Sequence, residues 1–398
     1  MTLPPRSVLI VGASLAGYST ARALRRRGFE GRIQLIGDEF ERPYDRPPLS
    51  KDYLLGIVGE AELSLEPDGE ELAAQWTLGR RAVSLDPVAG AVTLDNGDEV
   101  IGDVVVIATG SRARQLSPEL RGVHTVRTLA DARTLRSELV AGARLVVIGG
   151  GFIGAEIAST AHSRGLHVTV VEAAPVPFLG PLGREVGAAV AGLHAAHGVR
   201  LVIGIPVVGL CGTDRVRGVE LGDGCVLDAD VVVVGIGAAP NVEWLENTGL
   251  DIGPGLLCDA MGRTSAPRVF GVGDCSAWFD AEYERHYRIE HWTESRDRPA
   301  IMVDAILDTP DGLADAKPVR APYFWSEQYG IRIQYAGRRH GDERVAFEAG
   351  SPEGKDLLAV YWRGDEPVAV LGMNQPKAFT QWRRSLRLNP AGKIKELV

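Results

Sequence analysis

The feature that most constrains this chain is a segment that occurs twice, with equivalent turn glycines at Gly12 and Gly149. The first copy is Val8-Leu-Ile-Val-Gly-Ala-Ser-Leu-Ala-Gly17, followed by a helical stretch at 18–27 and an apolar run at 32–36. The second is Leu145-Val-Val-Ile-Gly-Gly-Gly-Phe-Ile-Gly154, then a helical stretch at 155–164 and an apolar run at 167–171. Apolar runs without alternation belong to strands buried on both faces, as in parallel sheets. Two such strand–turn–helix–strand units predict two dinucleotide-binding domains.

The remaining pattern predicts how they interleave. Residues 104–109 and 231–235 form further apolar strands, and 269–274 returns a strand to the first domain. Beyond about residue 318 the texture becomes alternating and aromatic, at 323–325, 331–335, 357–362 and 368–372, with a turn at 363–367. Period-two alternation argues for an antiparallel sheet; residues 378–387 then read as a short basic helix. The expected fold is α/β: two Rossmann-like domains plus a C-terminal α+β domain. The expected division is 1–112 and 241–318 for the first nucleotide domain, 113–240 for the inserted second and 319–398 for the last.

Composition narrows the function. The 48 glycines in 398 residues are about 12%, against about 7% in average proteins, and suit many tight βα turns. Forty-three basic and 52 acidic side chains leave a formal charge of −9, which offers nucleic acid no electrostatic attraction. The four cysteines, Cys211, Cys225, Cys258 and Cys275, form no Cys-x-x-Cys pair and no His/Cys cluster. No metal site is therefore expected, and free thiols fit a reducing compartment. There is no signal-peptide core and no run near the ~20 apolar residues of a membrane span. A cytoplasmic protein is expected.

The turns carry the first candidate residues. Gly12-x-Ser14-x-x-Gly17 has serine in place of its second glycine, and Ala16 lies beside the last. Helix N-termini at such turns present free N–H groups and positive dipole to phosphate. Asp38 and Glu39 close the next strand, where a ribose hydroxyl needs an acceptor. The second turn, Gly149-x-Gly151-x-x-Gly154, is complete; Phe152, Ile153 and Glu156 follow its glycines, and Glu172 ends the next strand. Glu172 suits a ribose 2′-hydroxyl and repels a 2′-phosphate, and Ala173-Ala174 offers no arginine. NADH is favoured over NADPH.

Several blocks in order carry a resemblance across essentially the whole chain: Glu41-Arg-Pro-Tyr-Asp-Arg-Pro-Pro-Leu-Ser-Lys51, Ala108-Thr-Gly110, Arg127-Thr-Leu-Ala-Asp131, Gly235-Ile-Gly-Ala-Ala-Pro-Asn241, Gly271-Val-Gly-Asp274 and Tyr323-Phe-Trp-Ser326. The chain resembles the FAD-dependent, NADH-linked ferredoxin reductases of oxygenase systems, of glutathione-reductase type. That resemblance implies hydride transfer from NADH to FAD and then single electrons to a 2Fe–2S ferredoxin. The ferredoxin would feed a haem-thiolate monooxygenase or a ring-hydroxylating dioxygenase. It places Lys51, paired with Glu156, beside the flavin as the catalytic electrostatic pair. It carries over Arg46, Val83, Ala108, Thr109, Gly110, Arg127, Gly237, Gly273, Asp274, Trp292 and Trp325 as cofactor contacts. Where relatives continue with Asn-Ala after the tryptophan, this chain has Thr293-Glu-Ser-Arg-Asp-Arg-Pro299; proline belongs in a first helical turn, so the helix is expected to start nearer Asp297. Arg332, Arg338, Arg339, Arg383, Arg384 and Arg387 are candidates for docking an acidic ferredoxin, and a monomer or weak homodimer is expected. Alternative readings are a rubredoxin reductase, an NADH oxidase or flavin monooxygenase using oxygen directly, and a flavin redox sensor.

Overall fold

Strand Ser7–Val11, four of whose five residues are buried, lies at the centre of the first sheet. A computed structural model describes residues 5–116, 120–281, 283–307 and 321–386. The sheet order is Val269–Gly271, Val104–Ile107, Ser7–Val11, Arg32–Gly37, Ala74–Leu78, and all neighbours are parallel. Its outer strand thus comes from the far side of the inserted unit. The second sheet, also parallel, runs Arg200–Ile203, His167–Glu172, Arg144–Ile148, Val231–Val234, Val123–His124. Both Val104–Ile107 and Val231–Val234 are buried at every position. That is the signature of a strand covered on both faces.

The chain crosses between these sheets twice. The crossings pair as an antiparallel ribbon of Ser111–Ala113 and Ala238–Pro240. Thr109 Oγ1 donates to the Asn241 carbonyl at 2.6 Å, and Asn241 Nδ2 donates back to the Thr109 carbonyl at 2.9 Å. The third five-stranded sheet is antiparallel, in the order Tyr323–Gln328, Ile331–Gly337, Glu366–Met373, Leu357–Arg363, Arg344–Gly350. Its edge strand Arg344–Gly350 has no buried residue and no clean alternation, so a reading of hydrophobic period passes over it. Helix Pro376–Ser385 closes this sheet by burying Phe379, starting two residues earlier than the sequence suggests.

Packing joins what the sequence separates. Tyr44, Leu49, Tyr53, Leu54 and Leu63 leave the first sheet and share a core with Leu145, Val147, Ile157 and Val233 of the second. Helix Leu179–Ala196 packs on the antiparallel sheet, and Tyr361 donates its hydroxyl to the Leu182 carbonyl at 2.9 Å.

One expectation fails. The helix expected near Asp297 begins at Trp292 and runs to Ile306, with Pro299 inside it. Its first turn closes on the His291 carbonyl, which accepts from the Glu294 and Ser295 N–H groups at 3.0 and 3.2 Å, and the reason it is held there is tertiary. Thr293 Oγ1 donates to the Tyr323 carbonyl, and Met302, Val303 and Ile306 are buried. These ties outweigh the loss at Pro299, which has no N–H for the Ser295 carbonyl. An interior helical proline costs about 3 kcal/mol, part of it offset by ring burial and chain stiffness. Pro299→Ala should therefore stabilise the protein by about 1–2 kcal/mol. A denaturation midpoint that falls in a urea titration would contradict this.

Candidate active site

Both glycine turns bring backbone against backbone. Gly12 has φ +121°, and a Cβ there would lie 2.0 Å from the Ala108 oxygen. Gly149 has φ +103°, with 2.3 Å to the Gly235 oxygen. Gly17 and Gly154 press the following helices onto the turns, since a Cβ on either would lie 1.8 or 2.2 Å from a turn carbonyl. Gly273 is similarly crowded, at 2.8 Å from Ala16 Cβ. Gly17, Gly154 and Gly273 line neither of the site's two cavities; they give clearance.

Helices Leu15–Arg26 and Phe152–Ser163 start from Ser14 and Gly151, and neither N-cap residue makes a side-chain cap. The first-turn N–H groups of both helices therefore remain available to an anion. Both turns open into one cleft of about 1350 Å³. The Ser14 hydroxyl instead accepts from Arg46 at 3.3 Å.

Arg46 organises this end. It pairs with Glu39 at 2.5 Å and donates to the Arg127 carbonyl; the Tyr44 hydroxyl holds the other Glu39 oxygen. Arg127 in turn pairs with Asp274 at 2.6 Å, and the Ser111 and Ser295 hydroxyls donate to Asp274 at 3.3 Å. Asp38 lies beside them, exposed. Ala108, Thr109, Gly110, Gly237 and Ile153 complete these walls.

At the other end, Lys51 Nζ stands 2.9 Å from Glu156 Oε1. The Ser50 and Ser326 hydroxyls and the Glu327 N–H also donate to this buried carboxylate. Trp292 and Trp325 meet edge to face with centroids 6.0 Å apart. Trp292 Nε1 donates to Asp45 at 2.7 Å. Burial pushes the Asp45 carboxyl up, opposed by this bond and by Lys51. Phe324 packs against Phe152, centroids 4.5 Å apart. Burial pushes the neighbouring His291 imidazole down to about 4, so it is neutral at physiological pH.

A second cavity of about 430 Å³ adjoins the first and is lined by Gly149, Glu172, Ala173 and Ala174. The Glu172 carboxylate is held by the Gly150 and Ala174 N–H groups at 2.8 and 2.7 Å. Each oxygen keeps acceptor capacity.

Three sequence expectations change here. Val83 is the bulged residue of strand Ala82–Asp86, 45% exposed and outside both cavities; the bulge turns it to solvent. Arg338 is bound to Asp280 with its side chain 14% exposed, and Arg339 lines the cleft at 20%, so neither belongs to an outer docking face. Arg332 and Arg384 are exposed, Arg383 stacks over Tyr323 at 4.3 Å, and Arg387 lies outside the described residues. Asp45 and Phe324 were missed as site residues, although both stand inside blocks that carried the resemblance. Only the fold reveals that one aims Trp292 and the other packs on the second glycine turn.

Residues 6–298 match the family described as pyridine nucleotide-disulphide oxidoreductase, and residues 323–393 match the reductase C-terminal family. The chain is 37% identical to the ferredoxin reductase component of chlorobenzene dioxygenase from Cupriavidus sp., covering 96% of this chain and 93% of that one. It is 36% identical to the ferredoxin–NAD(+) reductase component of the biphenyl dioxygenase system of Paraburkholderia xenovorans, over 94% and 91% of the two chains. Among solved structures it superposes on putidaredoxin reductase, taken from its covalent complex with putidaredoxin, with a TM-score of 0.91 and 32% identity over 96% and 93%. The chain belongs to the pyridine nucleotide-disulphide oxidoreductase family and, within it, groups with the ferredoxin reductase components of oxygenase systems.

Proposed function

We propose that this protein is an FAD-containing NADH:ferredoxin reductase that supplies a 2Fe–2S ferredoxin of a monooxygenase or ring-hydroxylating dioxygenase. The observation that carries this is one cleft into which two uncapped βα turns open, with no cysteine among its lining residues. Cys258 and Cys275 lie in the core, where burial pushes both thiols up. Cys211 and the exposed Cys225 line neither cavity, so a relay through a dithiol, which needs accessible thiolate, has nothing to run on in the cleft.

The first cradle fits FAD. The uncapped helix Leu15–Arg26 would hold its diphosphate with Arg46, and Asp274 would accept from the ribityl chain. Glu39 and Asp38 would face the adenosine ribose. When bound there, FAD would supply a two-electron acceptor for hydride and a one-electron donor to a ferredoxin. Trp292 and Trp325 would wall the ring, Asp45 fixing the first of them by its hydrogen bond. No side chain needs to move a proton in hydride transfer. Lys51 acts through its charge, and Glu156 positions the ammonium.

The second cradle would bind NADH. Helix Phe152–Ser163 takes the diphosphate and Glu172 the ribose hydroxyls. In a cavity whose lining holds no Lys or Arg, a 2′-phosphate would meet the Glu172 carboxylate alone.

The decisive experiment is anaerobic reduction by NADH, followed by a panel of ferredoxins and rubredoxins with cytochrome c as reporter. Rapid reduction of a 2Fe–2S ferredoxin is expected. Equally rapid NADH-driven oxygen uptake without any carrier would refute the reductase reading in favour of an oxidase.

Two quantitative outcomes follow from the geometry. NADH should exceed NADPH in kcat/KM by ~10²-fold or more, about 2.7 kcal/mol, and Glu172→Ala with Ala173→Arg should narrow the gap. Equal efficiency of the two coenzymes in the unmodified protein would count against Glu172. Lys51→Met should retain FAD yet slow its reduction at saturating NADH by ~10²-fold and lower the flavin potential, since a cation beside the ring is lost and the buried Glu156 carboxyl loses its partner. Glu156→Gln should be milder. Stopped-flow bleaching and redox titration read both; an unchanged rate and potential in Lys51→Met would reduce the pair to a structural tie.

A further inference from the structure

The two cavities meet at Gly151, Gly180, Pro181 and Gly235, which line both. Resting on the reading that NADH binds here, a dinucleotide with its ribose at Glu172 and its nicotinamide in the larger cleft must cross this seam with its diphosphate. Two negative charges would then sit at the uncapped N-terminus of helix Phe152–Ser163. The smaller cavity supplies no Lys, Arg or His among its lining residues.

A cation from the C-terminal sheet stands at the seam. Arg339 follows strand Ile331–Gly337 and lines the larger cleft. Its Nη1 donates to the Gly180 carbonyl at 3.0 Å. Its guanidinium also occupies the space that a side chain on Gly183 would fill, 3.0 Å from the place of a Cβ. The loop presenting it is tied down, because the Glu343 carboxylate accepts from the His340 and Gly341 N–H groups at 2.7 and 2.9 Å.

Its charge is less committed than that of six other arginines in the cleft; Arg114, which also lines it, stands beyond the ribbon strand Ser111–Ala113. Arg42, Arg46, Arg112, Arg127, Arg288 and Arg338 each hold a carboxylate in a hydrogen-bonded ion pair. The carboxylate recorded beside Arg339 is Glu343, at 3.9 Å. A guanidinium has five N–H donors. With one on Gly180, several can meet an anion, and charge-assisted pairs with phosphate are the strong ones.

We propose that Arg339 binds the diphosphate of NADH across the interface between the second parallel sheet and the C-terminal sheet. The coenzyme is then clamped by two parts of the chain, a helix N-terminus on one side and an arginine from the other. Gly180 and Gly183 leave the room that the guanidinium needs.

The test separates a phosphate clamp from a structural strut by using two hydride donors. NADH carries the diphosphate; 1-benzyl-1,4-dihydronicotinamide has the same reacting ring and none. Arg339→Gln should lower kcat/KM for NADH by about 10- to 100-fold, mainly through KM. The benzyl donor should reduce the flavin at the wild-type rate, and Arg339→Lys should recover part of the NADH loss. An equal loss with both donors, or no loss with NADH, would overturn the assignment. Should Arg339→Gln fail to hold flavin, Arg339→Lys carries the same two-donor comparison. Inability of the unmodified protein to oxidise NADH at all would instead strike the proposed function.

Discussion

A single buried carboxylate ties the molecule together. Glu156, on helix Phe152–Ser163 of the inserted unit, takes Lys51 and the Ser50 hydroxyl from the first segment and the Ser326 hydroxyl and Glu327 N–H from the C-terminal sheet. A charge so deep is tolerable only when every lone pair has a donor and a cation stands beside it. Satisfying it requires all three parts of the chain in one arrangement. The same helix repeats the device with neutral groups. Thr160 donates to the Ser50 carbonyl at 2.9 Å, and Ser159 accepts from the Tyr329 N–H at 2.7 Å. Arg164 caps the Leu54 carbonyl.

The cleft exists because these ties hold three surfaces close without fusing them. Its charges are arranged by pairing. Arg46 with Glu39 and Arg127 with Asp274 leave partly satisfied groups that still face the cavity, cationic and anionic by turns. A ligand with phosphates, hydroxyls and an aromatic ring would meet matched partners along its length, and their prior orientation lowers the cost of binding. The other end is aromatic, with two ring pairs, Trp292 against Trp325 and Phe152 against Phe324.

Much of this was legible in residues 8–17 and 145–154, because a glycine turn between a fully apolar strand and a helix states a local geometry outright. The parallel order of both sheets and the return of strand Val269–Gly271 follow from that pattern. The Lys51–Glu156 pair came from resemblance, since 105 positions of chain separate its members. Edge strand Arg344–Gly350 was illegible because it buries nothing and so leaves no period. That the side chain of Val83 faces solvent was not legible either, because a bulge, which reverses the facing of a side chain, leaves no mark in composition.

What the sequence by itself determined is therefore local: which segments are strands buried on both faces, which turns can approach phosphate, and which acid ends each second strand. What only the tertiary structure decided is where distant groups meet. Helix Trp292–Ile306 runs through Pro299 because contacts from other elements exceed a local penalty. Arg338 and Arg339, adjacent in sequence and read together as surface charge, separate on folding: one is bound to Asp280 and the other reaches Gly180. Backbone preference acts over a few residues and is written in their order. Charge and burial act through space, so their partners are chosen only when the sheets have closed around them.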